Sequence, residues 1–333
     1  MRQIEIEWVP LGITVTASLA PDKNRALADL LWSKLPYHSL QNHALVSGNH
    51  LYHLVPHPEL VYAPAETRED RTQSPDGTVF LSQLQHLAVK YGPLSEYLPA
   101  AAVGRVLDAD LPLLREAGLA CWHAAYRGKQ VIEVRVRRKG DQAATFALPP
   151  APRSGQPAVQ PLIDEIHAET ARIWIDPPTE LVRVHQGLIA SRAGSYGQYL
   201  STLVFVNGET RPLGYSALNG LVRACATTEV SLDTLRALTA NFARTPAEFL
   251  GYCGLETLWR FTRRTLDALD LLRTREEYFA LVSTLALYIN CLNTWNLHLF
   301  PWHHGEEYRY QPSASATGPR SSFSVPTLSP DPR

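Results

Sequence analysis

The stretch GTVFLSQLQHLAVKYGP, residues 77–93, is dense enough in apolar side chains (Val79, Phe80, Leu81, Leu84, Leu87, Val89) to belong to a core. Ser82, Gln83, Gln85, His86 and Lys90 interrupt it. Lys, Gln and His are rarely buried without partners, because desolvation costs about a few kcal/mol per unpaired group. The stretch therefore either lines a polar pocket or turns one face to solvent. Along one uninterrupted strand Gln83, Gln85 and Tyr91 share one parity, and Ser82, His86 and Lys90 share the other. A turn at Ser82–Gln85 would break that parity and could bring members of both sets to one place.

Around this stretch the first 137 residues carry strand signals. QIEIEWV and ITVTASL alternate with period two, and further strand-like runs lie near 37–46, 49–55, 78–82, 86–91 and 101–107. DKNRALADLLWSKLP reads as a helix with Asp22 as N-cap, and 108–127 as a second with Asp108 as cap. KQVIEVRVRR reads as a closing strand with Val134 and Val136 on one face. Residues 138–158 have a Pro/Gly/Ala-rich linker composition. Helical spacing then predicts helices over 160–175, 179–193, 196–206, 214–226, 231–243, 246–272 and 275–299, with Thr245 capping Pro246 at a helix start. Residues 303–333 are Ser/Pro-rich and read as a disordered tail. The expected class is α+β, a β-rich domain over 1–137 and an all-α bundle over 159–302.

Composition narrows the function. A net charge of −1 without a basic run argues against nucleic acid. The four scattered cysteines read as reduced core thiols, the N-terminus shows no signal-peptide pattern, and a cytoplasmic protein is expected. Residues 278–302 lack Asp, Glu, Lys and Arg, but Ser283, Thr284, Asn290, Asn293, Asn296 and His298 are too polar for a lipid-facing helix. HLYHLVPH spaces His50, His53 and His57 for a helix or turn that Pro56 opposes, so no metal site is expected. There is no G-x-G-x-x-G, Walker loop or G-x-S-x-G elbow, and no cofactor is expected.

The candidate site residues concentrate in QNHALVSGNHLYH, ETREDRTQSPDG and SQLQHLAVKYGP. On a strand His50 and Tyr52 share one face while His53 points the other way. A closed barrel with one polar mouth could gather such residues around a small anionic ligand. QNHALVSGNHLYHLVP, EDRTQSPDGTVFLSQLQHLAVKYGP and IEWVPLGITVTASLAPDKN together resemble the cucumopine and mikimopine synthases, most specifically over residues 37–93.

That resemblance implies a cyclophilin-like β-barrel followed by a C-terminal helical bundle. It also implies a redox-neutral Pictet–Spengler reaction in which L-histidine and 2-oxoglutarate form an imine and the imidazole carbon closes on it, without NAD(P)H. Such a reaction needs a neutral amine, a proton donor for loss of water, and a base for the ring-carbon proton, each worth roughly 10²–10⁴ in rate. The substrate carboxylates need cationic or N–H donors. Lys90, His50, His86 and Asp70 are the expected proton-transfer groups. Arg71, Gln73, Ser74, Asn49, Ser82, Gln83, Gln85 and Tyr91 are the expected binding groups. The bundle could close the pocket through Tyr196, Gln198 and Tyr199 or the Asn290/Asn293/Asn296 row, or form a homo-oligomer interface. The rivals are a barrel that binds a small carboxylate without turnover and, by fold analogy alone, a peptidyl-prolyl isomerase.

Overall fold

The computed structural model describes residues 2–141, 144–188 and 199–306. The alternating segments become eight strands: β1 (Gln3–Trp8), β2 (Ile13–Leu19), β3 (Tyr37–His43), β4 (Gly48–Leu54), β5 (Thr78–Ser82), β6 (His86–Leu94), β7 (Ala101–Val106) and β8 (Glu133–Arg138). They close into a barrel in the order β1-β2-β7-β5-β6-β4-β3-β8, every pair antiparallel. One parity of each strand fills the interior: Ile6, Trp8, Val15, Tyr37, Leu51, Val89, Val103 and Val136 are all within one buried cluster. Helices α1 (Arg25–Ser33) and α2 (Leu111–His123) add Leu27, Leu31, Leu114 and Ala117 to it.

The 77–93 stretch is a β-hairpin. Gln85 N donates to the Ser82 carbonyl (2.9 Å), Leu84 N donates to Ser82 Oγ (3.0 Å), and Gln85 takes a left-handed φ of 65°. The turn restores register, with Leu81 opposite Leu87 and Val79 opposite Val89. Val79, Leu81, Leu87, Val89 and Tyr91 consequently belong to the interior cluster. Phe80, Ser82, His86, Ala88 and Lys90 take the opposite parity and face outward.

That outer face is covered. After the linker come α3 (Gln160–Arg172), α4 (Thr179–His185), α5 (Tyr199–Arg211), a π-helical turn (Pro212–Leu218), α6 (Asn219–Thr227), α7 (Leu232–Tyr252), α8 (Glu256–Ala268) and α9 (Arg275–Leu299). Leu40, Leu54 and Val61 of the sheet half are buried within the helical core rather than inside the barrel. Trp174 Nε1 donates to the His38 carbonyl (2.7 Å) and Arg223 Nε to the Val61 carbonyl (3.0 Å). Residues Met1–Pro301 thus form one compact unit, and Trp302–Glu306 form a short 3-10 turn.

Four local expectations are corrected. α1 begins at Arg25, behind Asn24, whose amide is drawn away to the Ala102 carbonyl (2.8 Å); Asp22 does not cap it. Asp108 opens a 3-10 turn, and α2 starts only at Leu111. The segments 231–243 and 246–272 are divided elsewhere: α7 runs through Pro246 to Tyr252, and Gly254, at φ +102°, ends that segment before α8. Burial of Leu235, Thr239, Ala243, Ala247 and Leu250 along one stripe outweighs the roughly 3 kcal/mol that an interior proline costs. The helix expected over 214–226 begins as the π turn, so its side chains are rotated from α-helical spacing.

The ends of the helices expected over 179–193 and 196–206, with Tyr196 and Gln198, lie outside the described residues, as do 307–333 of the expected tail. All four cysteines are buried and unbridged. Among the described residues no helix is long and apolar enough to cross a membrane; α9 is buried in the bundle.

Candidate functional site

The outward faces of β4, β5 and β6 set His50 opposite Lys90, Tyr52 opposite Ala88 and Phe80 opposite Ala88, with His86 at the hairpin end beside Ser82 and Leu54. The expected parity of His50 and Tyr52 against His53 holds: His53 points inward, bonded to Tyr37 Oη (2.9 Å). The polar groups are therefore gathered on the barrel's outer wall beneath the bundle, and not at a barrel mouth.

Lys90 is 5% exposed, and its ammonium reaches the carbonyls of Arg71 (3.2 Å), Thr72 (3.1 Å) and Ser74. Three N–H donors meet three acceptors. This geometry makes Lys90 the pin of loop 70–76, with no donor left for a substrate, in place of the expected proton-transfer role. Asp70 accepts from Thr72 N and Oγ1 (2.8 Å each), an Asx turn within that loop rather than a group aimed at a reactant. Ser74 Oγ is held by Glu69 (2.9 Å), and Gln73 is exposed.

The pinned loop delivers Arg71. Its guanidinium, 6% exposed, donates to Glu96 Oε2 (3.1 Å) and approaches His50 Nδ1 (3.5 Å). With Nδ1 as acceptor, the proton of neutral His50 sits on Nε2. Arg71 Nε and His50 Nε2 are both buried and without a partner. Neighbouring side chains thus each leave one N–H donor unpaired, one of them on a positively charged group, a set that suits a ligand carboxylate. Burial, then the charge of Arg71, lowers the His50 pKa to about 3.

Glu96 is the carboxylate of this place. It stands just beyond β6, its side chain 46% exposed. Ser47 Oγ donates to it, and Arg71 and Arg211 add positive charge; these hold its pKa below the ordinary glutamate value. An ionised, accessible carboxylate beside a buried guanidinium can accept a proton from a bound substrate.

Further along the wall His86 packs on Tyr52 (centroids 4.9 Å apart) and bonds through Nε2 to Tyr215 Oη (2.8 Å), which descends from the π turn of the bundle. Burial lowers the His86 pKa to about 3, with His53 and Arg211 adding to the shift. Burial raises the pKa values of Tyr52 and Tyr215. Two neutral imidazoles thus flank the wall at neutral pH.

Of the remaining expected residues, Tyr91 is inside the barrel, bonded to His43 Nε2 (2.7 Å). Ser82 and Gln85 build the hairpin turn. Gln83 is half-buried and reaches the Ala63 carbonyl at 3.5 Å, and the Asn49 side chain lies against Gly92. None of these five meets the Arg71–Glu96 pair. Sequence reasoning missed Glu96, Ser47, Arg211 and Tyr215. Glu96 had one faint signal, an acid placed directly after the polar hairpin. Tyr199, exposed at the start of α5, and Asn296, bonded to His185 (3.1 Å) and Asn207 (3.1 Å), have no bond to these groups. Among the described residues no three His, Cys, Asp or Glu side chains converge as metal ligands.

Residues 159–299 match the cucumopine synthase C-terminal helical bundle domain. The solved structure of McbB in complex with tryptophan is 66% identical in sequence, covers 92% of this chain and 100% of its own, and superposes with a TM-score of 0.90. No curated protein sequence matches the chain.

Proposed function

The chain belongs to the McbB family of Pictet–Spengler-type enzymes, and from that premise we propose that it condenses an aromatic amino acid with a carboxylate-bearing carbonyl compound and closes the imine into a ring. Tryptophan is the first amine to expect, because the 66%-identical McbB structure holds it. One observation carries the chemistry: an accessible Glu96 paired to a buried Arg71, whose Nε and the neighbouring His50 Nε2 lack partners.

In this reading the amine nitrogen attacks the carbonyl carbon, the carbinolamine loses water, and the aromatic ring carbon forms the new C–C bond to the imine carbon. Glu96 takes the proton that this ring carbon must lose. Arg71 and His50 hold a substrate carboxylate through their free N–H groups and fix the reacting atoms in range. The protons balance on the substrate: Glu96 takes one from the ammonium to free the amine and returns it to the carbinolamine hydroxyl as water leaves, before it takes the ring-carbon proton. The sequence of bonds formed and broken is redox-neutral, so no nicotinamide is consumed.

L-Histidine with 2-oxoglutarate is the second reading, favoured by the cucumopine synthase domain match over residues 159–299. Mass spectrometry of purified protein with tryptophan or histidine, each against a panel of 2-oxo acids and aldehydes, tests both. The expected product has the mass of amine plus carbonyl less one water. A product two hydrogens heavier, formed only with NADH, would mean reductive condensation, and binding without any product would favour the non-catalytic module.

A further inference from the structure

We infer that Tyr215 is a positioning residue: by donating its hydroxyl proton to His86 Nε2 it fixes the imidazole as the Nδ1–H tautomer, which makes His86 a hydrogen-bond donor to the carbonyl-derived oxygen of the substrate. The inference rests on the reaction proposed above.

The direction of the 2.8 Å bond follows from acidity. A phenol, with a pKa of about 10, is a far better donor than a neutral imidazole N–H, and the imidazole lone pair is far more basic than a phenol oxygen. O–H to N is therefore favoured over N–H to O. The surroundings agree. Asn293, fully buried and with no partner for its amide, flanks the phenol oxygen from α9 and is suited to donate to it, while Thr294 gives its one hydroxyl proton to the Asn290 carbonyl (2.9 Å). An amide N–H donated there would take an oxygen lone pair and leave the phenol proton for His86. The His86 ring is held in place twice more, edge-on to Tyr215 (centroids 5.0 Å, 89°) and tilted against Tyr52 (4.9 Å). Nε2 makes the one hydrogen bond of the His86 ring to the described residues, which leaves Nδ1 as the ring nitrogen that can serve a ligand.

The backbone is built for this reach. Tyr215 sits in the π turn, where wider spacing rotates a side chain out of the α-helical stripe. Gly214 lets α9 approach: a Cβ there would stand 2.1 Å from Asn290 Oδ1. A neutral imidazole fixed as a donor can polarise a carbonyl and then stabilise the carbinolamine oxygen, as a preorganised dipole in a dry site.

Two variants and one spectrum test this. Tyr215→Phe keeps the ring and removes the donor; kcat is expected to fall about 10-fold, with the amine KM and the thermal midpoint nearly unchanged. His86→Asn places an amide N–H where Nδ1 was and is expected to retain activity that His86→Gln, which mimics Nε2, loses by about 10²-fold. Nitrogen-15 NMR of histidine-labelled protein is expected to show His86 protonated on Nδ1 in the wild type and a shift toward Nε2–H in Tyr215→Phe. A wild-type Nε2–H tautomer, a wild-type kcat in Tyr215→Phe, or better retention in His86→Gln than in His86→Asn would each overturn the inference. The spectrum needs no substrate, so a wild-type protein that shows the Nδ1–H tautomer but makes no product would defeat the proposed reaction and leave the tautomer assignment standing.

Discussion

At Glu96 opposing effects meet. Partial burial favours the protonated acid, while the Ser47 hydroxyl and the charges of Arg71 and Arg211 favour the carboxylate and win. A base must be ionised to act, so kcat/KM should fall only as pH drops through a value below the ordinary glutamate pKa of about 4.3. Ser47→Ala removes the largest of the stabilising contacts; the acidic limb of the pH–rate profile is expected to move upward in pH, and an unmoved limb would detach Glu96 from that limb. Glu96→Gln keeps the shape but cannot accept the proton, and a loss of roughly 10²–10⁴ in kcat is expected. Arg71→Lys keeps a charge but loses the fork and the orphaned Nε. Its signature is a raised KM for the carboxylate-bearing carbonyl substrate with little change in thermal midpoint.

At the scale of the element, the β5–β6 hairpin and loop 70–76 act together. The loop forms no strand or helix of its own, and the Lys90 ammonium supports it with three bonds to loop carbonyls. Lys90→Met leaves buried carbonyls unpaired, at about 1–3 kcal/mol each. Hydrogen exchange over residues 70–76 is expected to rise and Arg71 to lose its placement; unchanged exchange there would refute the pin. On the bundle side, Gly214→Ala must push Asn290 or the π turn aside. A stability loss of about 1–3 kcal/mol is expected by urea denaturation.

Over the whole molecule, seven histidines (His43, His50, His53, His57, His86, His185 and His298) have pKa values lowered by burial to about 3 or 4 from 6.5. The unfolded chain binds their protons near 6.5, and the folded protein does not until about 4 or below. Between those values unfolding takes up protons, so the stability these groups contribute is present above about 6.5 and is lost as pH falls. Each proton taken up steepens the dependence by about 1.36 kcal/mol per pH unit. Unfolding free energy from urea titrations is thus expected to fall steeply from pH about 7 to about 5; a flat profile would mean that these side chains are already protonated in the fold.

The sequence by itself determined the local periods, and with them much of the architecture. Period-two alternation in QIEIEWV, ITVTASL and the 77–93 stretch specified which residues share a strand face, and apolar spacing specified the helices of the second half. It also determined that His50 and Tyr52 lie together, and it admitted a turn at Ser82–Gln85; the turn forms but keeps the parity it was expected to break, with Ser82 opposite His86. Only the tertiary structure decided that the outward face of the hairpin is the one roofed by the bundle. Alternation distinguishes two faces but carries no information about which distant element covers either. Tyr215 meets His86 across 129 residues of chain, through a π turn that α-helical spacing does not describe. The Arg71–Glu96 pair arises because Lys90 holds an irregular loop in place. Pro246 makes the same point in reverse: its local preference is to end a helix, and the burial of its neighbours overrides it.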